Sequence, residues 1–311
     1  MTTIDAPLEA APSVVLPKKR VRLGELGVHA LLFVAATISV LTTIGIVLSL
    51  VIPAVDFFRE IPVWEFLTGT RWAPLFLDAS FGVVPLLVGT FVIAFWAALV
   101  AFPLGLGVAI YLSEYAPERV MRVLKPAIEL AEAIPTVVLG YFALTFVTPF
   151  LRDIGIEVEI FNVLAASFVL GIMLIPTITS VSDDAMSAVP QDLRDGAYAL
   201  GADKLQVSTR IVVPAAISGI IASFILGLSR AVGETMIVLI AAGQVAQITF
   251  DPRDSIQTMT AFIGATGAGD VPRGSIEYKT IFAVGLTLFV ITLVINLISI
   301  RLVRKYREIY E

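Results

Sequence analysis

The chain has 311 residues, of which 58% are hydrophobic and only 15% charged, with a mean hydropathy of +0.93. So little charge over that length excludes an ordinary soluble domain and points to an integral membrane protein. The net charge of −5 says less than the placement of the charges, and the lack of cysteine excludes disulfides and thiolate metal sites.

In chain order, residues 1–27 form a polar tail that ends on a basic run, "KKRVR" at 18–22. The long apolar segment behind it has no small-residue cleavage site near its end, so the stretch is expected to be a topogenic anchor and not a secretory signal. The single histidine, His29, starts that segment and cannot build a multi-histidine metal site. A bilayer core about 30 Å thick needs roughly 20 helical residues to cross it. Six segments meet this requirement: 28–54, 83–112 (interrupted by "PLGLG"), 127–150, 161–181, 216–243 and 280–300. None alternates with period 2, which disfavours a barrel and predicts an all-α bundle of six transmembrane helices. With both termini on one side, that side and its loops near 113–126 and 182–213 hold fourteen of the 21 basic residues. The opposite side holds six, so the termini are expected to be cytoplasmic.

The chain thus divides into a cytoplasmic tail (1–27), a first span (28–54), an external interfacial loop (55–82), a core of five spans (83–300) and a second cytoplasmic tail (301–311). Trp64, Phe66, Trp72 and Phe76 in the external loop suit a membrane surface. The second outer loop carries "GATGAGDVPRGS" at 264–275, which follows no strand and reads as a flexible connector rather than a phosphate cradle. Glu129 and Glu132 open the third span, where a helix macrodipole would favour carboxylates. Pro103, Pro135 and Pro176 each interrupt an apolar span, and Asp183 and Asp184 read as a solvated helix end.

The most informative soluble stretch is "VPQDLRDGAYALGADKLQVSTRIVVP" at 189–214. Pro190 suits the first turn of a helix and Gly201 its end, and Leu193, Ala197 and Leu200 recur at i, i+4 and i+7. Asp203 then fits as the cap of a second helix running into the fifth span. The polar face pairs Asp192 and Asp195 with the lone Arg194, an acidic balance that anionic lipid would repel. Docking into a groove on a soluble partner is the better reading.

Asp195-Gly196-Ala197, three residues, Gly201, nine residues and Ile211-x-Val213-Pro214 resemble the EAA loop of ABC importer permeases. In that family the loop forms a coupling helix seated in a cleft of an ATP-hydrolysing subunit. Asp195, Gly196 and Val213 depart from the family's Glu, Ala and Leu; Gly196 costs about 1 kcal/mol of helix stability relative to alanine.

The fifth span contains "GLSRAVGETMIVLI", with Arg230 near its middle. An arginine there costs about 2.5–3.5 kcal/mol on insertion scales and cannot face lipid comfortably. The i, i+4 spacing to Glu234 offers an intrahelical ion pair. A pair that only neutralises itself is a poor stabiliser, so an anion route is the stronger reading. Ser223, Gly227 and Ala231 form a small-residue stripe at which another helix, that of a second permease half, could approach. A guanidinium matches carboxylates and tetrahedral oxyanions. A carboxylate beside it repels fully ionised sulfate but accepts a hydrogen bond from protonated phosphate.

"SRAVGETM", "PLGLGVAIYLSEYAP" at 103–117 and "AIPTVVLGYFAL" at 133–144 look like the permease subunits of the phosphate-specific bacterial ABC importer, PstC type. The likeness covers roughly residues 25–308. It implies the type I (MetI-like) bundle, a sister permease of PstA type, two copies of an ABC ATPase and an external phosphate-binding protein. It makes Arg230 and Glu234 the charged pair on the translocation route. No catalytic constellation and no Walker sequence is present in the chain, so ATP and magnesium are expected on the partner ATPase and no cofactor on this chain. No nucleic-acid partner is expected. Two other readings stay open: a permease of this architecture for sulfate or molybdate, and a proton-coupled carrier using Glu234.

Overall fold

The computed structural model describes residues 23–306. The basic run at 18–22, the tail before it and residues 307–311 lie outside the described residues. The chain divides into one unit that ends at Ser49 and a second that begins at Leu50. The first unit is the amino-terminal part of helix α1 (Leu23–Glu60), whose apolar side chains are mostly exposed, as a lipid-facing helix requires.

In the second unit, a short helix α2 (Val63–Thr68) and a two-stranded hairpin, β1 (Trp72–Ala73) and β2 (Ser80–Phe81), follow α1. The strands pair antiparallel with Trp72 opposite Phe81. The four aromatics of this loop do not all lie on a membrane surface, as the composition suggested. Trp64 and Phe76 are exposed, but Phe66 and Trp72 are buried in edge-to-face contacts with Phe57, Phe58 and Phe262. The loop folds back on itself and builds a core of its own.

The second span is α3 (Val84–Ile110), continued by a π turn at Tyr111–Tyr115. Pro103 sits inside α3 without ending it, so "PLGLG" does not interrupt the helix. The third segment is bent. An amphipathic helix α4 (Glu118–Ala131) without a buried residue turns by 86° into α5 (Thr136–Phe142), a π turn (Ala143–Val147) and α6 (Thr148–Asp153). The break falls at Pro135, which has no amide to donate and whose own backbone is non-helical, φ −59° and ψ 132°.

Helix α7 (Val163–Ser187) starts at Asn162, whose side chain accepts from the Ala165 amide at 2.7 Å. It packs along α3, and Gly105 makes this approach possible. A Cβ on Gly105 would lie 2.8 Å from Ile178 Cγ2. Pro176 lies inside α7, and Asp183 is buried rather than solvated, bonded to Lys125 at 3.0 Å. Asp184, the expected solvated neighbour, is exposed.

The loop that follows holds α8 (Gln191–Ala199), α9 (Lys204–Val207), a π turn (Ser208–Val212) and α10 (Val213–Ala215). The path from α9 to α11 (Ile217–Gly233) bends by 71°, so α9 does not run straight into the fifth span. After a break come α12 (Met236–Ala241), α13 (Met259–Ala268) and α14 (Ile276–Tyr306). Part of the glycine-rich stretch expected as flexible connector is therefore helical. Among the described residues, four helices are long and apolar enough to cross a membrane, and six spans result if each bent pair counts as one. The main core gathers α3, α7, α11 and α12 around Ala97, Leu170, Leu174, Ile178 and Ile237.

Candidate functional site

The fifth span does not continue through Glu234. Helix α11 ends at Gly233, and Glu234 takes an extended backbone, φ −67° and ψ 132°. Its Oε1 accepts from the amides of Met236 at 2.9 Å and Ile237 at 3.2 Å, so the carboxylate caps α12. The Thr260 hydroxyl donates to the Glu234 carbonyl at 2.7 Å and ties the break to α13. The intrahelical Arg230–Glu234 pair expected from the spacing therefore does not form. The i, i+4 rule holds only while the helix persists, and here the amides freed by the break compete for the carboxylate.

Arg230 finds other partners. Its Nη1 donates to Thr177 Oγ1 at 2.7 Å and lies 3.4 Å from Glu132 Oε1. The Thr177 hydroxyl in turn donates to the same Glu132 oxygen at 2.7 Å. Three elements converge: α11 supplies the guanidinium, α7 the hydroxyl next to Pro176, and the bend after α4 the carboxylate. The Arg230 and Glu132 side chains are 38% and 42% exposed. Among the described residues, Arg230 Nε and Nη2 make no hydrogen bond. One edge of the guanidinium is thus held in place, and the other makes no hydrogen bond to the described residues.

The sequence places Glu132 in the opening turn of a span, where the macrodipole would favour it. It stands instead at the carboxyl end of α4, as its C-cap, where the dipole disfavours a carboxylate. Arg230 and Thr177 supply the compensation. The signal for this lay in "EAIPT": a proline that breaks the helix leaves the glutamate at a bend rather than on a regular face. The small-residue stripe is also occupied. Ser223 bonds to Ser182 at 2.8 Å, and Gly227 and Ser223 are buried, Gly227 beside Ile178, so the stripe seats this chain's own α7.

At the other end of the bundle, α8 begins after Pro190 and stops before Gly201, whose φ of +86° suits glycine. Asp203 caps α9 in a reciprocal box with Gln206. Asp195, Gly196 and Leu200 are exposed, Leu200 at 91%, while Ile211 is half-buried and Pro214 exposed. Leu193, Ala197 and Leu200 do not form one outward stripe. Ala197 packs on the cluster of Ala109, Met186, Val189 and Val207, and Leu200 swings out because it lies past the last helical turn. Arg194 does not belong to the polar face either. It turns inward to Glu114 at 2.9 Å and donates to the Met186 and Val189 carbonyls. Lys204 Nζ sits 5.0 Å above the Tyr115 ring. The exposed residues of α8 and its C-cap are Gln191, Asp192, Leu193, Asp195, Gly196, Tyr198, Ala199 and Leu200, two carboxylates among the apolar Leu193, Tyr198 and Leu200.

A family model described as "Binding-protein-dependent transport system inner membrane component" matches residues 101–308. The chain is 36% identical over 282 residues to a probable ABC transporter permease protein, YqgH, of Bacillus subtilis (strain 168), covering 90% of this chain and 89% of that one. It is 34% identical to the phosphate transport system permease protein PstC of Xylella fastidiosa (strain 9a5c), over 78% of this chain and 80% of that one. PstC of Haemophilus influenzae is 31% identical over 85% and 88%. Among solved structures, a bacterial alginate ABC transporter in complex with an alginate pentasaccharide-bound periplasmic protein aligns with a TM-score of 0.62 at 17% identity, over 91% of this chain and 96% of that one. An inward-facing MetNI methionine ABC transporter aligns at 0.57 and 19% identity, over 73% and 96%. At such identities these structures show the fold alone, and it is the type I, MetI-like permease bundle.

Proposed function

The chain belongs to the binding-protein-dependent transport system inner membrane components, and from that premise we propose that it imports inorganic phosphate as the membrane-spanning permease subunit of an ATP-driven complex. The relatives named PstC support the substrate, and one observation carries it at the level of residues. Arg230 is fixed by Nη1 inside the bundle while Nε and Nη2 remain open, a pair of donors suited to a tetrahedral oxyanion. Phosphate arrives on an external binding protein, enters a cavity shared with a sister permease of PstA type, and meets Arg230 on its way through. Glu234 contributes by holding the break between α11 and α12 in shape.

Energy enters from the cytoplasmic side. The exposed surface of α8, with Leu200 as its knob and Asp195 and Gly196 beside it, docks in one of two ABC ATPase copies. Those subunits bind ATP and magnesium, and this chain performs no hydrolysis of its own. Gly201, Ile211 and Pro214 set the geometry of the loop. Both termini lie in the cytoplasm, the protein sits in the inner membrane, and α1 faces lipid. Sulfate or molybdate as the cargo of the same fold is a weaker reading, because the two PstC relatives are named as phosphate transport permeases and a carboxylate stands beside Arg230.

The test is labelled phosphate uptake into vesicles holding the whole complex, comparing wild type with Leu200→Asp and Arg230→Ala, each checked for assembly of the permease pair. Both variants should lose uptake, Leu200→Asp through loss of the ATPase and Arg230→Ala with the ATPase still bound. Uptake that survives Leu200→Asp and follows a proton gradient without ATP would sink the proposal.

A further inference from the structure

A threonine inside a helix has a local use for its hydroxyl, the carbonyl four residues back. Thr37, Thr43, Thr90, Thr287 and Thr292 all bond in this way. Thr177, half-buried in α7 next to Pro176, instead sends its hydroxyl proton across to Glu132 Oε1 at 2.7 Å. That single proton is then committed, and only lone pairs remain to meet Arg230 Nη1, also at 2.7 Å. A guanidinium has donors and no acceptor, so the chain from Arg230 to Thr177 to Glu132 runs in one direction only. Nη1 also reaches Glu132 directly, but at 3.4 Å, so the shorter bond to the hydroxyl sets its direction. Both N–H bonds of Nη1 lie in the guanidinium plane. Partners on two elements therefore fix that plane, and with it the line of the Nε and Nη2 donors. An arginine without such partners spreads over many rotamers, and a ligand that met it would have to order it first.

We infer that Thr177 is a positioning residue of the translocation route: it aims Arg230, and Glu132 aims Thr177. The role depends on Arg230 being the anion's seat, as proposed above, and adds to it a hydroxyl that acts without touching the anion. Glu132 serves here as a hydrogen-bond acceptor more than as a charge. Both charged side chains are part-exposed, so solvent screens the attraction between them, whereas the bonds through the hydroxyl are directional.

Labelled phosphate uptake by vesicles holding the whole complex tests this, over a range of concentrations of phosphate-loaded binding protein. Wild type is compared with Thr177→Val, Thr177→Ser, Glu132→Gln, Glu132→Ala and Arg230→Ala, each checked for assembly and unfolding midpoint. Valine keeps the shape of threonine without the hydroxyl. Thr177→Val should therefore lower the maximal rate by about tenfold, the loss expected of one hydrogen bond to a charged group. Its half-saturating concentration and its midpoint should stay at wild type, which a packing defect would not allow. Thr177→Ser should restore the rate. Glu132→Gln keeps an acceptor oxygen and should move phosphate nearly as wild type does, while Glu132→Ala should fall like Thr177→Val. A fast Thr177→Val, or a Thr177→Ser as slow as the valine variant, would overturn the positioning role and leave Arg230 standing. So would a fast Glu132→Ala, or a Glu132→Gln that falls with it. Arg230→Ala moving phosphate at the wild-type rate would remove the seat and the positioning role together. Should Thr177→Val not assemble, Thr177→Ala takes its place. If neither assembles, or both unfold well below wild type, the hydroxyl holds the fold and not the arginine, and the inference fails.

Discussion

Arg194 reaches Glu114 across eighty residues of sequence, Nη2 to Oε1 at 2.9 Å, with the two side chains only 11% and 5% exposed. The pair joins α8 to the π turn at the end of the second span. Two backbone carbonyls, those of Met186 and Val189, complete the shell around the guanidinium. A buried pair so enclosed is costly to halve, because the remaining charge keeps its desolvation and loses its partner.

Glu114→Ala and Arg194→Ala should therefore each destabilise the permease by about 3–5 kcal/mol. The double change Glu114→Leu with Arg194→Met should recover most of that loss in denaturation midpoints. Its ATP turnover per phosphate moved should rise, since a hydrophobic contact fixes direction less well than a forked ion pair. Single variants as stable as wild type would show that the pair is ornamental.

Glu234→Ala removes the acceptor for two amides and should cost about 1 kcal/mol at the break, with a matching fall in uptake. Glu234→Gln keeps an acceptor oxygen and should retain most of the transport. Equal loss from both variants would mean that the charge matters, and the capping role would fail.

Gly105→Ala places a methyl against Ile178 and should overpack the α3–α7 crossing by about 1–3 kcal/mol. Shortening the neighbour in the same molecule, with Ile178→Val, should return part of this. The check is the unfolding midpoint of single and double variants in detergent; strict additivity would argue that the two residues do not meet.

The turn at 251–254 carries a pH signature. Arg253 hydrogen-bonds the Asp251 carboxylate and holds it down to about 2, below the ordinary aspartate value. A lowered folded value means that the contribution of this pair is present above the ordinary aspartate pKa of about 3.9 and is lost as pH falls through about 2. The turn should stay charged and ordered throughout the mildly acidic range. Carboxyl carbon shifts of labelled Asp251 would read this, with Arg253→Ala expected to titrate above the wild type but, its amide still bonded to the carboxylate, below the ordinary aspartate value; a wild-type midpoint at the ordinary value would contradict the pairing.

Periodicity and proline placement made the spans legible, and so was the helix between Pro190 and Gly201, because its start and stop signals are local. What local rules could not supply was the destination of each charge. The spacing of Arg230 and Glu234 promised a pair, but a break three residues past the arginine redirected both side chains. Arg194 looked solvated until the fold brought Glu114 to it, and Glu132 looked like an ordinary helix-end carboxylate until the bend at Pro135 carried it to α11. Each case turns on contact between residues far apart in sequence, about which a helical wheel is silent. Asp183 is a further case, since Lys125 reaches it from another element.

Three segments, Tyr111–Tyr115, Ala143–Val147 and Ser208–Val212, are wound as π turns. Each stores one residue more than an α path of the same rise would hold, and passing that residue along the helix turns everything beyond it by about 100°. Two of the three border α8, one bearing Glu114 and the other leading into the fifth span. The bundle thus contains a means of rotating side chains about a helix axis without tilting the helix, so a push on α8 can be read out as a change of register as well as a hinge.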